Sequence, residues 1–400
     1  MSLEYKKLGD VAKFIRGITY KPNDLVENFS ENSTVCMRTA NVQAKLKQDD
    51  LLSVPLSFVK NEEKFLIEGD LLVSTANSWN LVGKCCWVPK LDYSATAGGF
   101  ISILRANQEK VDQHYLYHWF NSANTQLLAR SCGRQTTNIS NMDLGRCLDI
   151  KIPLPPLEEQ RRIASILDRA DELRQKRQQA IEKLDHFLQA EFISKFHQKN
   201  YPEFNVSDLL ENEKSMRTGP FGSQLLHSEF VDEGIHVLGI DNAVQNSFNW
   251  AKPRFITEEK YKDLKRYKVK PKDVIITIMG TCGKCAVVPE DIPTAINTKH
   301  LCCITLDQNK CNPEFLHSYF LIHPTARNYL ASRAKGAIMS GLNMGIIKEL
   351  PVELPPIEKQ KEFSTLKQKV ILQKELMVKE LSKINNLFAS LQNQAFSGTL

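Results

Sequence analysis

The chain repeats itself. Leu154-Pro155-Pro156-Leu157-Glu158-Glu159-Gln160 returns as Leu354-Pro355-Pro356-Ile357-Glu358-Lys359-Gln360, an offset of 200 residues. The same offset relates Gly83-Lys84-Cys85 to Gly283-Lys284-Cys285, Pro89 to Pro289, Tyr115-Leu116 to Phe315-Leu316, and Ser140 and Gly145 to Ser340 and Gly345. It slips only slightly elsewhere, as between Asp70-Leu71-Leu72 and Asp273-Val274-Ile275, which is what small insertions in surface loops produce. A repeat decides architecture before any motif does. The 400 residues must fold as two similar modules, in keeping with the two or three domains that such a length suggests.

Each module is a mixed segment followed by a long helical one. No Gly or Pro lies between Pro156 and Pro202, and after Pro356 the only one is Gly398. The prolines close a strand and open a helix, at a position that tolerates a missing N–H. Apolar residues recur at three-and-four spacings: Ile163, Leu167, Ala170, Leu173, Ile181, Leu184 and Leu188 in the first, and Phe363, Leu366, Val370, Met377, Leu381, Ile384 and Phe388 in the second. Forty helical residues would span about 60 Å, longer than a small domain is wide, so each stripe needs a partner and the nearest is the other helix. The competing arrangement lays each helix on its own globular domain. In the mixed segments, runs 71–75, 99–104, 274–279 and 301–306 read as strands, and 112–129 and 313–331 as helices, an α+β pattern. The boundaries expected are 1–153 and 200–353 for the two globular domains, with helices over 154–199 and 354–400.

Several function classes are excluded. The chain contains no G-x-x-x-x-G-K-[ST], H-E-x-x-H, G-x-S-x-G or G-x-G-x-x-G, and no [DNS]-P-P-[YFW] of adenine methyltransferases. The charged start MSLEYKKLGD lacks the apolar core of a signal peptide, and no apolar run approaches a membrane span, so a cytoplasmic location is expected. Ten cysteines, some adjacent within apolar strings such as Cys85-Cys86 and Cys302-Cys303, read as reduced and packed. Cys282-Gly283-Lys284-Cys285 offers two of the four ligands a structural zinc needs, and the first repeat has Val82 in place of the first thiol. A strand-end turn is the simpler account of it, with a zinc or thiol protein as the alternative. His114, His118 and His317 fall in helical patterns as packing or surface residues.

The net charge of +6 is spread as +2, +1, 0 and +3 over 1–156, 157–199, 200–355 and 356–400, so any nucleic-acid surface is local. One basic cluster, Lys260 to Lys272 with Tyr261 and Tyr267, could neutralise phosphates or be a solvated helix face. Loops that combine amide, hydroxyl and guanidinium groups with glycine can read base edges. Three stand out, 75–80, 134–138 and 217–224, each taken alone more simply an ordinary polar loop; with further polar residues chosen on the resemblance described below, they supply the candidate DNA contacts. In the first module these are Arg16, Thr19, Lys21, Asn77, Trp79, Asn80, Lys84, Arg134, Gln135, Thr136 and Asn138. In the second they are Arg217, Phe221, Ser223, Gln224, Asn242, Thr281, Lys284, Lys335, Ser340 and Asn343.

This arrangement resembles the specificity (S) subunit of Type I restriction–modification systems over essentially the whole chain. The residues that carry the resemblance are the start Leu8-Gly9-Asp10-Val11, the joint Ile152-Pro153-Leu154-Pro155-Pro156 through Ile163 with its copy at 352–361, Gly219-Pro220-Phe221-Gly222-Ser223, and the tail Gln394-Ala395-Phe396-Ser397-Gly398. The resemblance implies two similar target-recognition domains separated by a long antiparallel two-helix coiled coil, a pseudo-twofold repeat. It implies a non-catalytic subunit that reads a bipartite double-stranded DNA target with a fixed spacer. Two methyltransferase subunits would bind the helices, at Leu173, Ile181, Leu184, Leu188, Met377, Leu381, Ile384 and Phe388. S-adenosylmethionine would sit on those partners, and ATP and Mg2+ on restriction subunits if these join. No cofactor or membrane is expected for this chain. A coiled-coil adapter without DNA readout is the alternative from another class.

Overall fold

The computed structural model describes residues 4–134, 139–333 and 341–400. It divides into two units, Met1–Gln179 with Val378–Leu400, and Ala180–Met377.

The first unit is built on an antiparallel four-stranded sheet in the order Ala12–Arg16, Ile101–Ala106, Leu71–Ser74, Cys85–Trp87. Its central strands are buried on both faces, which is why Leu71–Ser74 and Ile101–Leu104 read as apolar runs rather than as alternations. Leu71, Val73 and Leu104 point to one side, into a core with Tyr115, Leu116 and Trp119. Leu72, Ile101 and Ile103 point to the other, against Val35, Met37 and Ala97 of a small sheet ordered Ser53–Pro55, Ser33–Met37, Ala95–Ala97. In that sheet the first pair is antiparallel and the second parallel. A further antiparallel pair, Tyr5–Lys7 with Lys151–Pro153, brings the start of the domain to its end.

The second unit has the same topology. Its four-stranded sheet runs Met216–Thr218, Leu301–Ile304, Val274–Thr277, Cys285–Val287, its small sheet Phe255–Ile256, Ile235–Leu238, Ala295–Asn297, and its closing pair is Glu203–Asn205 with Pro351–Glu353. The registers match: Leu71 opposes Leu104 where Val274 opposes Ile304, and Met37 opposes Ala97 where Leu238 opposes Asn297. The paired cysteines are strand residues facing opposite cores, Cys302 with Phe315 and Cys303 with Ile275.

Two segments expected as single helices are each broken in two. Gln113–Phe120 and Ala123–Ser131 are separated at Ser122, whose hydroxyl accepts from the Thr125 N–H and starts a new helix. Pro313–Ile322 and Pro324–Arg333 are separated at Pro324, which cannot continue a helix.

The long helices are Leu157–Phe196 and Ile357–Ser397, 40 and 41 residues. Each contributes to both units, and within each unit they run antiparallel. In the first unit the Arg162 guanidinium donates to the Leu400 carbonyl, Arg174 lies over the Phe388 ring and Arg177 pairs with Glu380. In the second, Asp185 pairs with Lys374 and the Phe192 ring packs on Phe363. Partner numbers fall on one helix as they rise on the other. The helices therefore pair, and their ends also pack into the globular cores, Ile163, Leu167 and Phe388 in the first unit and Phe192 and Phe363 in the second.

Candidate nucleic-acid interface

What holds each globular domain to its helix is the glutamine of the repeated joint. Gln160 is almost completely buried; its Oε1 accepts from the Asp112 N–H, and its Nε2 donates to the carbonyls of Pro155 and Lys110. Gln360 does the same with Asn312, Pro355 and Lys310. A buried side-chain amide with all its strong sites used fixes both position and rotation. Nearby, the Tyr115 hydroxyl donates to Pro153 and the Tyr319 hydroxyl to Pro351.

About two turns further along, the two repeats use opposite charges. On the first long helix Asp168 takes His118 at 2.7 Å and His114 at 3.0 Å. These two imidazoles hold the Asp168 carboxyl well below the ordinary range, and the carboxylate raises the His114 pKa. On the second long helix the position matching Asp168 is Gln368, and the charged group is a base one residue earlier, where the first helix has Leu167. Lys367, 8% exposed, donates to Glu314, to Ser318 and to Nδ1 of His317. His317 Nε2 faces the carbonyls of Asn246 and Cys285, so its proton sits there. Burial, then the lysine charge, lower the His317 pKa to about 4. These histidines are docking groups, as their helical placement suggested.

The loops at the far edge of each sheet share one backbone frame. In the first repeat Asn41 ends the turn Thr39–Asn41, its Oδ1 accepting from the Arg38 N–H and its Nδ2 donating to Lys47 O. In the second, Asn242 ends Ile240–Asn242 through Gly239 N–H and Asn249 O. Gly17 and Gly219 let the preceding strand press on the 98–101 and 298–301 turns. A Cβ on either would run into a backbone carbonyl, that of Gly98 or Asn297. Gly83 and Gly283 turn the next loop at φ +84° and +80°, a region that favours glycine.

Candidate residues distribute unevenly on this frame. Arg16, Thr19 and Lys21 are exposed, as is Arg134 on the strand Gly133–Arg134. Asn77 is half-buried, its amide donating to the Ser74 hydroxyl and its Oδ1 accepting from the Ser78 N–H. Trp79 is half-buried and Asn80 exposed in the following turn, while the half-buried Lys84 donates to Gln43. Gln135, Thr136, Asn138, Lys335 and Ser340 lie outside the described residues.

In the second repeat Phe221, Ser223 and Gln224 are exposed together in one turn, with Thr281 exposed and Lys284 half-buried in another. Three polar groups are spent internally. The Arg217 guanidinium pairs with fully buried Asp273 at 2.7 Å and also donates to Lys268 O, Ser215 O and Thr305, which makes it a fold-holding group rather than a base-reading arm. The first repeat satisfies the matching Asp70 from a different strand, through Arg105 at 2.7 Å. Asn242 is the turn cap just described, and Asn343 caps Met344–Lys348 by accepting from the Ile346 N–H. Sequence reading saw the residue types but not who already held them.

The basic cluster is partly paired: Lys260 with Glu229, Lys270 with Glu211 and Lys272 with Glu290. That is nearer a solvated face than a phosphate rail. Cys285 is fully buried and its thiol pKa is pushed up to about 12, while the Cys282 thiol donates to Ile278 O. Among the described residues no three His, Cys, Asp or Glu side chains come together as a metal set.

Residues 2–183 and 201–386 match the family described as Type I restriction modification DNA specificity domain, once for each repeat. The chain belongs to this family. It is 25% identical over 430 residues to the Type I restriction enzyme EcoKI specificity subunit of Escherichia coli K12, covering 98% of this chain and 87% of that one. It is 22% identical over 418 residues to the putative MjaX specificity subunit of Methanocaldococcus jannaschii, covering 99% and 93%. Its fold is similar to a chain solved in work on assembly and conformational transition of the type I R-M system, with TM-score 0.60 and 15% identity over all of both chains. It is also similar to the S subunit from M. genitalium, with TM-score 0.56 and 13% identity over 99% and 96%. Specificity subunits are the non-catalytic members of their systems, and among the described residues no helix is long and apolar enough to cross a membrane.

In this specificity subunit, the helix residues expected to meet partners are largely in use already. Ile181, Met377 and Phe388 are buried, and Leu184, Leu188, Leu381 and Ile384 half-buried; Leu173 alone of that set is exposed. The apolar residues left in solvent include Phe187 on the first helix and Leu372, Leu376, Val378 and Leu387 on the second. The three-and-four stripe marked inward residues, of which Ile163, Leu167 and Phe388 join the core of the first domain and Phe363 that of the second, and the outward face carried a weaker pattern. Sequence reading also missed Arg38 and Phe100, which line a cleft of about 540 Å3 with Thr19 and Tyr20 in the first repeat.

Proposed function

We propose that this chain is the sequence-specific DNA-binding subunit of a Type I restriction–modification complex, reading a bipartite duplex target and carrying the subunits that act on it. The observation that carries the reading is the doubled recognition fold: two domains of one topology, each docked by the same buried glutamine to helices that run antiparallel. Each domain would read a short block and the helices would set the unread spacer, as dimer geometry sets half-site spacing elsewhere. The globular domains would be 1–153 and 200–353, with the segments 154–199 and 354–400 carrying the helices Leu157–Phe196 and Ile357–Ser397. Two methyltransferase subunits would take the outward helix faces, bringing S-adenosylmethionine; restriction subunits would bring ATP and Mg2+. The chain would work in the cytoplasm on double-stranded DNA.

The exposed candidates Arg16, Thr19, Lys21, Asn80, Arg134, Phe221, Ser223 and Gln224 are the contacts this reading favours. It is tested with the chain in complex with its methyltransferase partners. Arg134→Ala should weaken binding at one half-site and leave preference at the other unchanged. Equal loss at both halves contradicts modular reading, and DNA retention that does not weaken with salt contradicts duplex binding altogether.

A further inference from the structure

The two repeats permit an internal comparison: same backbone, different side chains. Matching registers align Met37 with Leu238 and Ala97 with Asn297. The residues that build the frame are then identical: Gly17 and Gly219, Asn41 and Asn242, Gly83 and Gly283. The residues that the frame presents are not. On the asparagine-capped turn, Arg38 and Ala40 stand where the second repeat has Gly239 and Asp241. On the opposite turn, Gly99 and Phe100 stand where it has Lys299 and His300. A domain fold kept twice with different side chains presented where two turns face each other is what two readers of different short sequences require.

In the first repeat these positions line the cleft of about 540 Å3. Arg38 is held from one side only. Its Nη2 donates to the carbonyl and carboxylate of Asp50, at 2.7 and 2.9 Å, while Nε is buried without a partner and Nη1 has none among the described residues. An arginine fixed through Nη2 with Nη1 left over can donate to a guanine acceptor in the major groove. Phe100 is 61% exposed beside it, an apolar ring that the fold itself does not bury. In the second repeat Asp241 is instead met by Arg254, so the same place presents an acid–base pair.

We propose that the cleft between the 38–40 and 98–101 turns selects bases for the first repeat, Arg38 donating to a guanine and Phe100 lying against a neighbouring base or thymine methyl. The matching turns at 239–241 and 298–300 select different bases for the second. This rests on the DNA-reading function proposed above. The test uses the full chain with its methyltransferase partners and a pool of duplexes randomised at every position, sequenced after binding. Wild type first shows whether any sequence is selected; if none is, the DNA-reading function fails, and the cleft with it. Given selection, Arg38→Ala should lower the preference for guanine at one position by about 10- to 100-fold, leave the other half-site unchanged and be partly rescued by Arg38→Lys. Phe100→Ala, at an exposed position that carries no fold, should relax an adjacent position of the same half-site. Weakening spread evenly over all sequences, with a shallower salt dependence, would make Arg38 a phosphate contact and overturn the proposal. Unchanged selectivity in both variants would overturn it equally.

Discussion

Acid should loosen the second unit at a place where it does not loosen the first. His317 is neutral in the folded chain, sandwiched between the Lys367 ammonium and two carbonyls, and its pKa falls from an ordinary 6.5 to about 4. A folded-state value below the unfolded one means that the unfolded chain binds the proton more readily, so stability is intact above pH 6.5 and lost as pH falls toward 4. Between pH 7 and 5 that amounts to about 2 kcal/mol for a fully buried group. In the first unit the sign reverses for His114, whose pKa is raised by Asp168: its contribution is full below 6.5 and lost as pH rises through the folded value. Asp168 itself, held low, gives way only far into acid. The assay is hydrogen exchange of core amides in each unit, Ile275 and Leu72, corrected for the intrinsic pH dependence and compared with His317→Gln, which keeps a donor but does not titrate. The second-unit amides should lose protection from pH 7 to 5 in wild type and much less in the variant. Parallel curves for the two proteins, or a second unit that tightens on acidification, would refute the reasoning.

Three other outcomes are expected. Gln160→Ala or Gln360→Ala strips partners from one buried N–H and two carbonyls and should cost about 2–4 kcal/mol in denaturant titrations, with no pH dependence of its own. Asp273→Asn leaves Arg217 without its buried carboxylate and should cost about 3–5 kcal/mol, whereas exposed pairs such as Lys270 with Glu211 should measure below about 1 kcal/mol. Leu372→Asp and Leu387→Asp, at exposed helix positions, should leave thermal unfolding unchanged while reducing retention of methyltransferase subunits in pull-downs.

The helices, the joint and the doubling were legible because each leaves a periodic or repeated mark. Forty residues without Gly or Pro can be read directly, and so can two copies of P-P-x-x-x-Q, although only the structure explains the glutamine as a three-bond clasp. Strand runs such as 71–75 were readable because burial on both faces makes them continuously apolar. The breaks at Ser122 and Pro324 were visible as residues but were outweighed by the apolar spacing around them. The site was harder to read. Arg217 and Asn242 look like base readers by type, yet each already holds a partner, Arg217 the distant Asp273 and Asn242 the nearby Asn249 O. Arg38 and Phe100 gave no local signal, since a cleft made by two turns sixty residues apart has no spacing to detect.

The central claim is that two copies of one fold read two separate blocks of duplex. Mapping the sites that the complete complex with its methyltransferase subunits modifies on random DNA tests it most directly. The account predicts two short fixed blocks separated by a spacer of constant length, with one block alone changing when the first repeat's cleft is altered. A single contiguous block, or a spacer that varies freely from site to site, would contradict it.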